Sequence, residues 1–237
     1  GSDVPDAITA DINGNIYIAA TSNSNLPGLD PNHGGKDVWV IKLAPTGEVL
    51  WQKNFGGSLE DEASDIVIHP DGLVYVLAHS QSDDGDFTVN SGLNDLWVIK
   101  LDALDGETLG MYRYGGSGND YNGKADLFGN DQLVISTNTT SVDEDLTGNK
   151  GFGDVWVMTT DLNGHIQHQM NYGGSQNDYS ADVLTVDSVF YLLSTTLSLD
   201  KNVPFNTTAQ QDLWYYTLNP FPDSCSDQFL CLPDSML

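Results

Sequence analysis

The sequence predicts an all-β fold made from one four-stranded unit used four times. Three observations predict it. The word Asp-[Val/Leu]-Trp begins at Asp37, Asp95, Asp154 and Asp212, at steps of 58, 59 and 58 residues. The word Gly-Gly-Ser begins at Gly56, Gly115 and Gly173, at steps of 59 and 58. Two independent markers with one period define a repeat, and a repeat fixes the architecture class before any single element does. The third observation is texture. Each period breaks into short apolar runs bounded by Asp-Gly, Asn-Gly and Pro-Thr-Gly turns, and no stretch keeps a period of 3.6 over three turns.

The second copy shows the elements in order. Residues 62–72 (EASDIVIHPDG) read as a first strand that ends in an Asp-Gly turn, where glycine supplies the positive φ that a tight hairpin requires. Leu73–Ser80 (LVYVLAHS) is the second strand. A loop of about fourteen residues follows, then Asp95–Asp102 (DLWVIKLD) as the third strand and residues 107–116 as the fourth. The second and third strands are almost continuously apolar in every copy (NIYIAA, DVWVIKL, VFYLLS), the pattern of strands buried on both faces. The fourth is more polar (EVLWQKNF, HIQHQMNY), as suits an edge strand in contact with water. Four antiparallel strands with this gradient describe a β-propeller blade. A twisted stack of sheets is the competing architecture. The blades are expected at about residues 6–57, 61–116, 120–174 and 178–220, followed by a tail or further module over 221–237. The fourth strand of the last copy is not evident. Residues near Phe229 supply it, or the chain is an excerpt of a longer array.

The 237 residues hold 34 acids and 8 bases, a formal charge of −26. Such a surface repels nucleic-acid phosphate and anionic lipid, favours divalent cations and keeps a protein in solution. No apolar run is long enough to cross a bilayer as a helix. The two cysteines, Cys225 and Cys231, lie in the last thirteen residues with five residues between them. They suit a small disulfide loop and an oxidising compartment, so the chain is expected to be extracellular or on a cell surface.

The stretch DVWVIKLAPTGEVLWQKNFGGSLEDEASDIVIHPDGLVYVLAHSQSDDGDF, with PNHGGKDVW ahead of it, resembles repeats of large secreted or cell-surface proteins of Bacteroidota. The resemblance covers about residues 6–220. It is looser in copies three and four; FNTTAQQDLW stands in the fourth where the fuller word is expected. It implies β-propeller repeats, export by type IX secretion, and no general enzymatic assignment.

The candidate residues follow from recurrence. Asp61, Asp120 and Asp178 close the Gly-Gly-Ser-x-x-Asp word once per unit, and Asp37, Asp95, Asp154 and Asp212 each precede a buried strand. A catalytic group is rarely present in every unit, whereas an Asp that accepts backbone N–H groups in a turn is needed each time. Trp39, Trp97, Trp156 and Trp214 are expected in the core between blades. His165 and His168 lie three apart on the fourth strand, so they point to opposite faces and share no metal. No nucleophile elbow, zinc helix or phosphate loop is present. Arg113 is the sole arginine, which argues against a sialidase-type carboxylate site. Calcium is the one cofactor the pattern suggests. Asp84, Asp86 and Asn90 precede Asp95 by the same intervals at which Asp143, Asp145 and Asn149 precede Asp154. Alternating acids with a later amide can supply several of the six to eight oxygens that Ca²⁺ takes; simple turn formation explains the same residues. The loop between the second and third strands varies most. The expected function is therefore a non-enzymatic binding or structural module, displaying loops to a protein or glycan at the cell surface or to neighbouring domains or subunits. A polysaccharide-acting enzyme is the alternative.

Overall fold

Hairpin turns cut the chain into short strands, and glycine at the turn corner sets several of them: Gly14 and Gly72 take φ values of 80° and 81°, open to glycine and costly for other residues. In this computed structural model, residues 1–25, 31–146, 148–200, 212–218 and 228–230 are described. They form strands only. Blade 1 holds β1 (Asp3–Ala10), β2 (Ile16–Ser22), β3 (Asp37–Leu43) and β4 (Val49–Phe55). Blade 2 holds β5 (Asp61–His69), β6 (Leu73–Ser80), β7 (Asp95–Asp102) and β8 (Thr108–Tyr114). Blade 3 holds β9 (Asp120–Phe128), β10 (Gln132–Thr139), β11 (Asp154–Asp161) and β12 (Ile166–Tyr172). Blade 4 holds β13 (Asp178–Val186), β14 (Val189–Thr196), β15 (Asp212–Leu218) and β16 (Gln228–Leu230). Each blade is a sheet in sequence order, antiparallel throughout. The fold is thus all-β, with four four-stranded β-propeller blades. The fourth strand of blade 4 is β16, which pairs with β15 from Thr217↔Gln228 to Tyr215↔Leu230.

The repeat is kept to the level of register. Ser22↔Asp37, Ser80↔Asp95, Thr139↔Asp154 and Thr196↔Asp212 are equivalent pairs. A bulge near the start of the first strand recurs at Pro5/Ala7, Ala63/Asp65 and Ser180/Asp182. Burial follows the texture of the sequence. β6, β7, β10 and β11 are buried almost throughout, and β4, β8 and β12 expose much of their length.

The chain divides into two compact units, 1–123 and 124–237. In the first, one face of blade 1 (Tyr17, Ala19, Val38, Val40) packs against the opposite face of blade 2 (Ile66, Val76, Trp97, Ile99). Trp97 meets Phe87 edge to face at 5.2 Å. The Ala63 N–H donates to Thr21 Oγ1 across this seam at 3.0 Å, and Lys42 Nζ and Trp51 Nε1 both donate to the Ala103 carbonyl. In the second unit, Val134, Val155 and Val157 of blade 3 pack against Val183, Phe190, Leu192 and Trp214 of blade 4. There the Ser180 N–H donates to Asn138 Oδ1 at 2.6 Å, at the position equivalent to the Ala63–Thr21 bond.

The four tryptophans are equivalent in register but not in surroundings. Trp97, Trp156 and Trp214 are buried, whereas Trp39 is half-buried. Truncating Trp97 to alanine is expected to cost about 3–5 kcal/mol, as for other buried aromatics. Trp39→Ala is expected to cost distinctly less. Urea melts of both variants check the difference; equal losses would mean that the seam does not set the energetic role of the tryptophan.

Candidate functional site

The Gly-Gly-Ser word and the acid that closes it meet at the seam between blades. In the first unit four consecutive backbone amides of the Gly-Gly-Ser-Leu segment donate to side chains of blade 2. Gly56 N–H goes to Asp86 Oδ2 (3.0 Å), Gly57 N–H to Asp61 Oδ2 (2.7 Å), Ser58 N–H to Asp84 Oδ1 (2.7 Å) and Leu59 N–H to Ser82 Oγ (3.0 Å). The hydroxyls of Ser80 and Ser82 also donate to the Asp61 carboxylate. In the second unit Gly174 N–H goes to Asp178 Oδ2 (2.7 Å), Ser175 N–H to Asp200 Oδ1 (2.8 Å) and Gln176 N–H to Ser198 Oγ (3.0 Å). Thr196 and Ser198 hydroxyls donate to Asp178 as Ser80 and Ser82 do to Asp61.

The acids of three Asp-x-Trp words hold the loop from the other side. Asp37, Asp95 and Asp154 each accept the backbone N–H four residues before them, from His33, Ser91 and Lys150. Asn54 Nδ2 also donates to Asp37, and Arg113 Nη1 to Asp95 at 2.9 Å. The sole arginine is thereby engaged inside the scaffold. Asp37, Asp61, Asp95, Asp120, Asp154 and Asp178 have no solvent exposure. Fully enclosed carboxylates cannot touch a substrate; they hold turns. They also explain the first glycine of each pair. A Cβ on Gly115 would stand 2.7 Å from both Asp95 Oδ1 and Asp120 Oδ2, and one on Gly56 or Gly173 would strike Asp37 or Asp154.

The loop acids behave differently from a gathered ion site. Asp84 and Asp86 each accept an amide of the neighbouring turn, Asn90 donates to the Ser80 carbonyl and accepts from Gly92 N–H, and Asn149 makes the same two bonds with Ser141 and Gly151. Asp143 accepts Leu146 N–H through its own carbonyl, closing a turn that includes Asp145. Among the described residues, no three His, Cys, Asp or Glu side chains gather where they could hold a metal. Calcium at these loops is therefore a proposal in competition with a turn role. Cys225 and Cys231 lie outside the described residues. His165 pairs with Asp161 at 3.0 Å, apart from His168, whose ring lies 3.4 Å from Thr159 Oγ1.

The sequence reading missed two members of the set. Asp3 is the structural equivalent of Asp61 and Asp178, accepting the Ser22 hydroxyl. Asp200 takes the place of Asp84. The signal for it is a further word, [Ser/Thr]-x-Ser-x-Asp, at Ser80–Asp84, Thr139–Asp143 and Thr196–Asp200.

A mixed charge cluster lies beside the same seam. Lys36 Nζ contacts Glu62 at 2.6 Å and Glu60 at 3.5 Å, and His79 Nε2 lies 3.8 Å from Glu62. The hydrogen bond and charge of Glu62 raise the Lys36 pKa, while burial lowers that of His79.

The family model described as "Beta-propeller repeat" matches residues 1–27. No curated protein matches the sequence. Solved structures do. The phage phi92 endosialidase is 12% identical, with a TM-score of 0.52, over 97% of this chain and 38% of that one. A GH43 β-1,3-galactosidase, solved with galactodeoxynojirimycin, is 10% identical with a TM-score of 0.50, over 96% and 75%. A Pyrococcus horikoshii acylaminoacyl peptidase is 11% identical with a TM-score of 0.50, over 97% and 32%. The chain spans about half the length (49%) of the Synechocystis apocarotenoid oxygenases it also matches, at 12% identity for the Glu150Gln form. At these identities the likeness is one of fold. It corrects one expectation all the same. The non-enzymatic assignment drawn from the repeat does not stand, because structures sharing the fold are themselves enzymes.

Two measurements test the seam. Asp84→Ala is expected to lower stability by about 1 kcal/mol through the lost amide acceptor, equally with calcium and with chelator. A loss confined to calcium buffer would make the carboxylate a metal ligand instead. The second is pH dependence. Burial pushes the Asp61 carboxyl above the ordinary aspartate value of 3.8; hydrogen bonds from Ser80, Gly57 and Ser82 pull against this, and the Asp37 charge adds to the rise. The unfolded chain therefore releases this proton first as pH rises. The Asp61 contribution should fall from pH 3.8 upward until the folded carboxyl has also ionised. Relative to Asp61→Asn, the parent should lose stability with rising pH across that window. A gain across it would show that the donors outweigh burial.

Proposed function

We propose that the chain is a binding or structural module of an extracellular or cell-surface protein, with the second-to-third-strand loops as its recognition surface. The observation that carries this reading is a division of labour along each loop. Its two ends are fixed by the same bonds from blade to blade, as in Ser82–Asp84 and Asp95 or Ser198–Asp200. Between them, shared and variable positions alternate: DGDFTVNSGLN in the second copy and DEDLTGNKGFG in the third agree at Asp84/Asp143, Asp86/Asp145, Thr88/Thr147, Asn90/Asn149 and Gly92/Gly151 and differ at every position between these. Rigid scaffolds with variable loops are a common basis of recognition. The partner is a glycan or protein at a cell surface, or a neighbouring domain of the same assembly. The acidic surface, the cysteine pair and the likeness of the repeat words to secreted Bacteroidota proteins support export, with the type IX route as the proposed path.

A glycan array and a panel of surface polysaccharides test the reading. The parent protein is expected to retain at least one glycan, and a Val89→Ser/Leu93→Ser variant, changed at two exposed loop positions, is expected to lose it while melting unchanged. Equal retention by both proteins would remove the loops from recognition. Release of reducing sugar by the parent would establish the polysaccharide-acting alternative.

A further inference from the structure

One position of the seam is taken by a residue that does not make the seam's bond. Register makes Thr21, His79 and Asn138 equivalent, each one residue before the pair Ser22↔Asp37, Ser80↔Asp95 or Thr139↔Asp154. Thr21 Oγ1 accepts the Ala63 N–H at 3.0 Å, and Asn138 Oδ1 accepts the Ser180 N–H at 2.6 Å. His79 Nδ1 is buried without a partner. The His79 ring meets the Tyr121 ring edge to face, with centroids 6.2 Å apart. Its Nε2 lies 3.8 Å from Oε2 of Glu62, the residue opposite it in the pairing of β5 with β6. Charge departs from the repeat at the same place. Lys36 and Asn94 each precede the acid of an Asp-x-Trp word, and Glu60 and Asn119 each precede the acid that closes a Gly-Gly-Ser word. Asn94 Nδ2 donates to Asn119 Oδ1 at 2.9 Å, a neutral tie. Lys36 and Glu60 make that tie with ions at 3.5 Å, yet Lys36 lies closer to Glu62, at 2.6 Å. Glu62 and His79 are therefore additions that the seam does not require. Lys36, Glu60, Glu62, His79 and Tyr121 all belong to the first compact unit.

We propose that Lys36, Glu62, His79 and Tyr121 form a subsite for a neutral saccharide. The inference rests on the glycan form of the reading above and adds a contact outside the loop positions that vary. The distance of 3.8 Å between Glu62 Oε2 and His79 Nε2 is too long for a hydrogen bond. It is short enough for one hydroxyl oxygen to reach both atoms at about 2.8 Å. Burial lowers the His79 pKa against the charge of Glu62, which favours the neutral ring. With Nδ1 buried and unpartnered, the single N–H of that ring belongs on Nε2. A hydroxyl between them then donates to Glu62 and accepts from His79. The other Glu62 oxygen is held by Lys36, whose ammonium has three N–H donors and gives two to Glu62 and Glu60. The third suits a second hydroxyl. Neighbouring hydroxyls that both donate and accept are the chemistry of a sugar ring. The half-buried Tyr121 ring beside His79 offers apolar surface to the C–H side of such a ring. The charges select against other ligands. Lys36 repels a metal ion from Glu62, and the two glutamates repel an anion. Side-chain exposure falls from 41% at Lys36 through 35% at Glu62 to 18% at His79, so the subsite is open at the lysine and closes toward the histidine.

Saturation-transfer NMR of the whole chain with glucose, galactose, mannose, N-acetylglucosamine and their β-linked disaccharides reads the result. The parent is expected to transfer saturation to at least one of these sugars. Glu62→Gln and His79→Asn should each weaken that sugar about tenfold. His79→Asn introduces the side chain that Asn138 uses as a seam acceptor, so it should melt no lower than the parent while binding less. A histidine kept only for packing would not separate the two readouts. The Val89→Ser/Leu93→Ser variant distinguishes this subsite from the loops. Binding lost in Glu62→Gln and kept in the loop variant would support the subsite and remove the loops from recognition. Binding unchanged in both Glu62→Gln and His79→Asn, and lost in the loop variant, would overturn the subsite and leave the loop reading standing. A parent that transfers saturation to none of these sugars would also overturn the subsite, and retention of a polysaccharide on the array would then still support the loops.

Discussion

The structure depends on a buried carboxylate that accepts the backbone of a two-glycine turn. Enclosing Asp61 or Asp178 away from water costs several kcal/mol before any partner is counted. The cost is offset because the partners are fixed in advance. Gly57 or Gly174 donates its amide, and two hydroxyls on the neighbouring strand complete the shell. Hydrogen bonds to an ionised group contribute about 1.5–3 kcal/mol each, so the partnered carboxylates of Asp61 and Asp178 are tolerable, and Asp37, whose Oδ1 is buried without a partner, depends on the donors that meet its Oδ2. The arrangement then dictates composition. The backbone must come within contact distance of two acids at once, which leaves no room for a Cβ at Gly115. The Gly-Gly-Ser word is therefore the imprint of two acids on the chain that passes between them.

This explains why so much of the fold was readable. The turn word and the Asp-x-Trp word are two sides of one contact, so both had to recur at one period. The strands between them are held in one register, and their apolar texture followed from enclosure on both faces. The failure at Asp200 has its source in the loop. Thr196 and Asp212 pair across 16 residues of chain, whereas Ser80 and Asp95, or Thr139 and Asp154, are 15 apart. Counting back from Asp212 therefore lands on Lys201, one residue past Asp200. Surface loops absorb such insertions at little cost, so spacing measured across them drifts while spacing measured along a strand does not. The [Ser/Thr]-x-Ser-x-Asp word continues directly from a strand and keeps its register.

Two other features could not be read because they depend on what lies opposite. Ile8 and Ile66 are the same residue at the same position in the repeat, one bare and one enclosed. Trp39 and Trp97 differ in the same way. A sequence records that a face is apolar, and only packing decides whether it is covered. Likewise a carboxylate beside an amide side chain suits both a hard cation and a tight turn, since both ask for oxygen lone pairs. Asp84 was legible as an oxygen donor to its surroundings. The identity of its partner, the Ser58 amide, came from the neighbouring blade, far away in sequence.

The same chemistry bears on what the protein can do. Six aspartates with no solvent exposure maintain the seams, so abundance of acid in this sequence is poor evidence for a carboxylate pair of the glycosidase kind. It is equally poor evidence against one, because acids outside the seams remain and the fold hosts hydrolases among its likenesses. A shared fold leaves function to be argued from individual sites. Here the seams are constrained so heavily that they carry little information about a partner, and any information about one must lie at the loop positions that differ from copy to copy. Recognition, and catalysis if it is present, is therefore to be sought in the residues that break the repeat rather than in those that keep it.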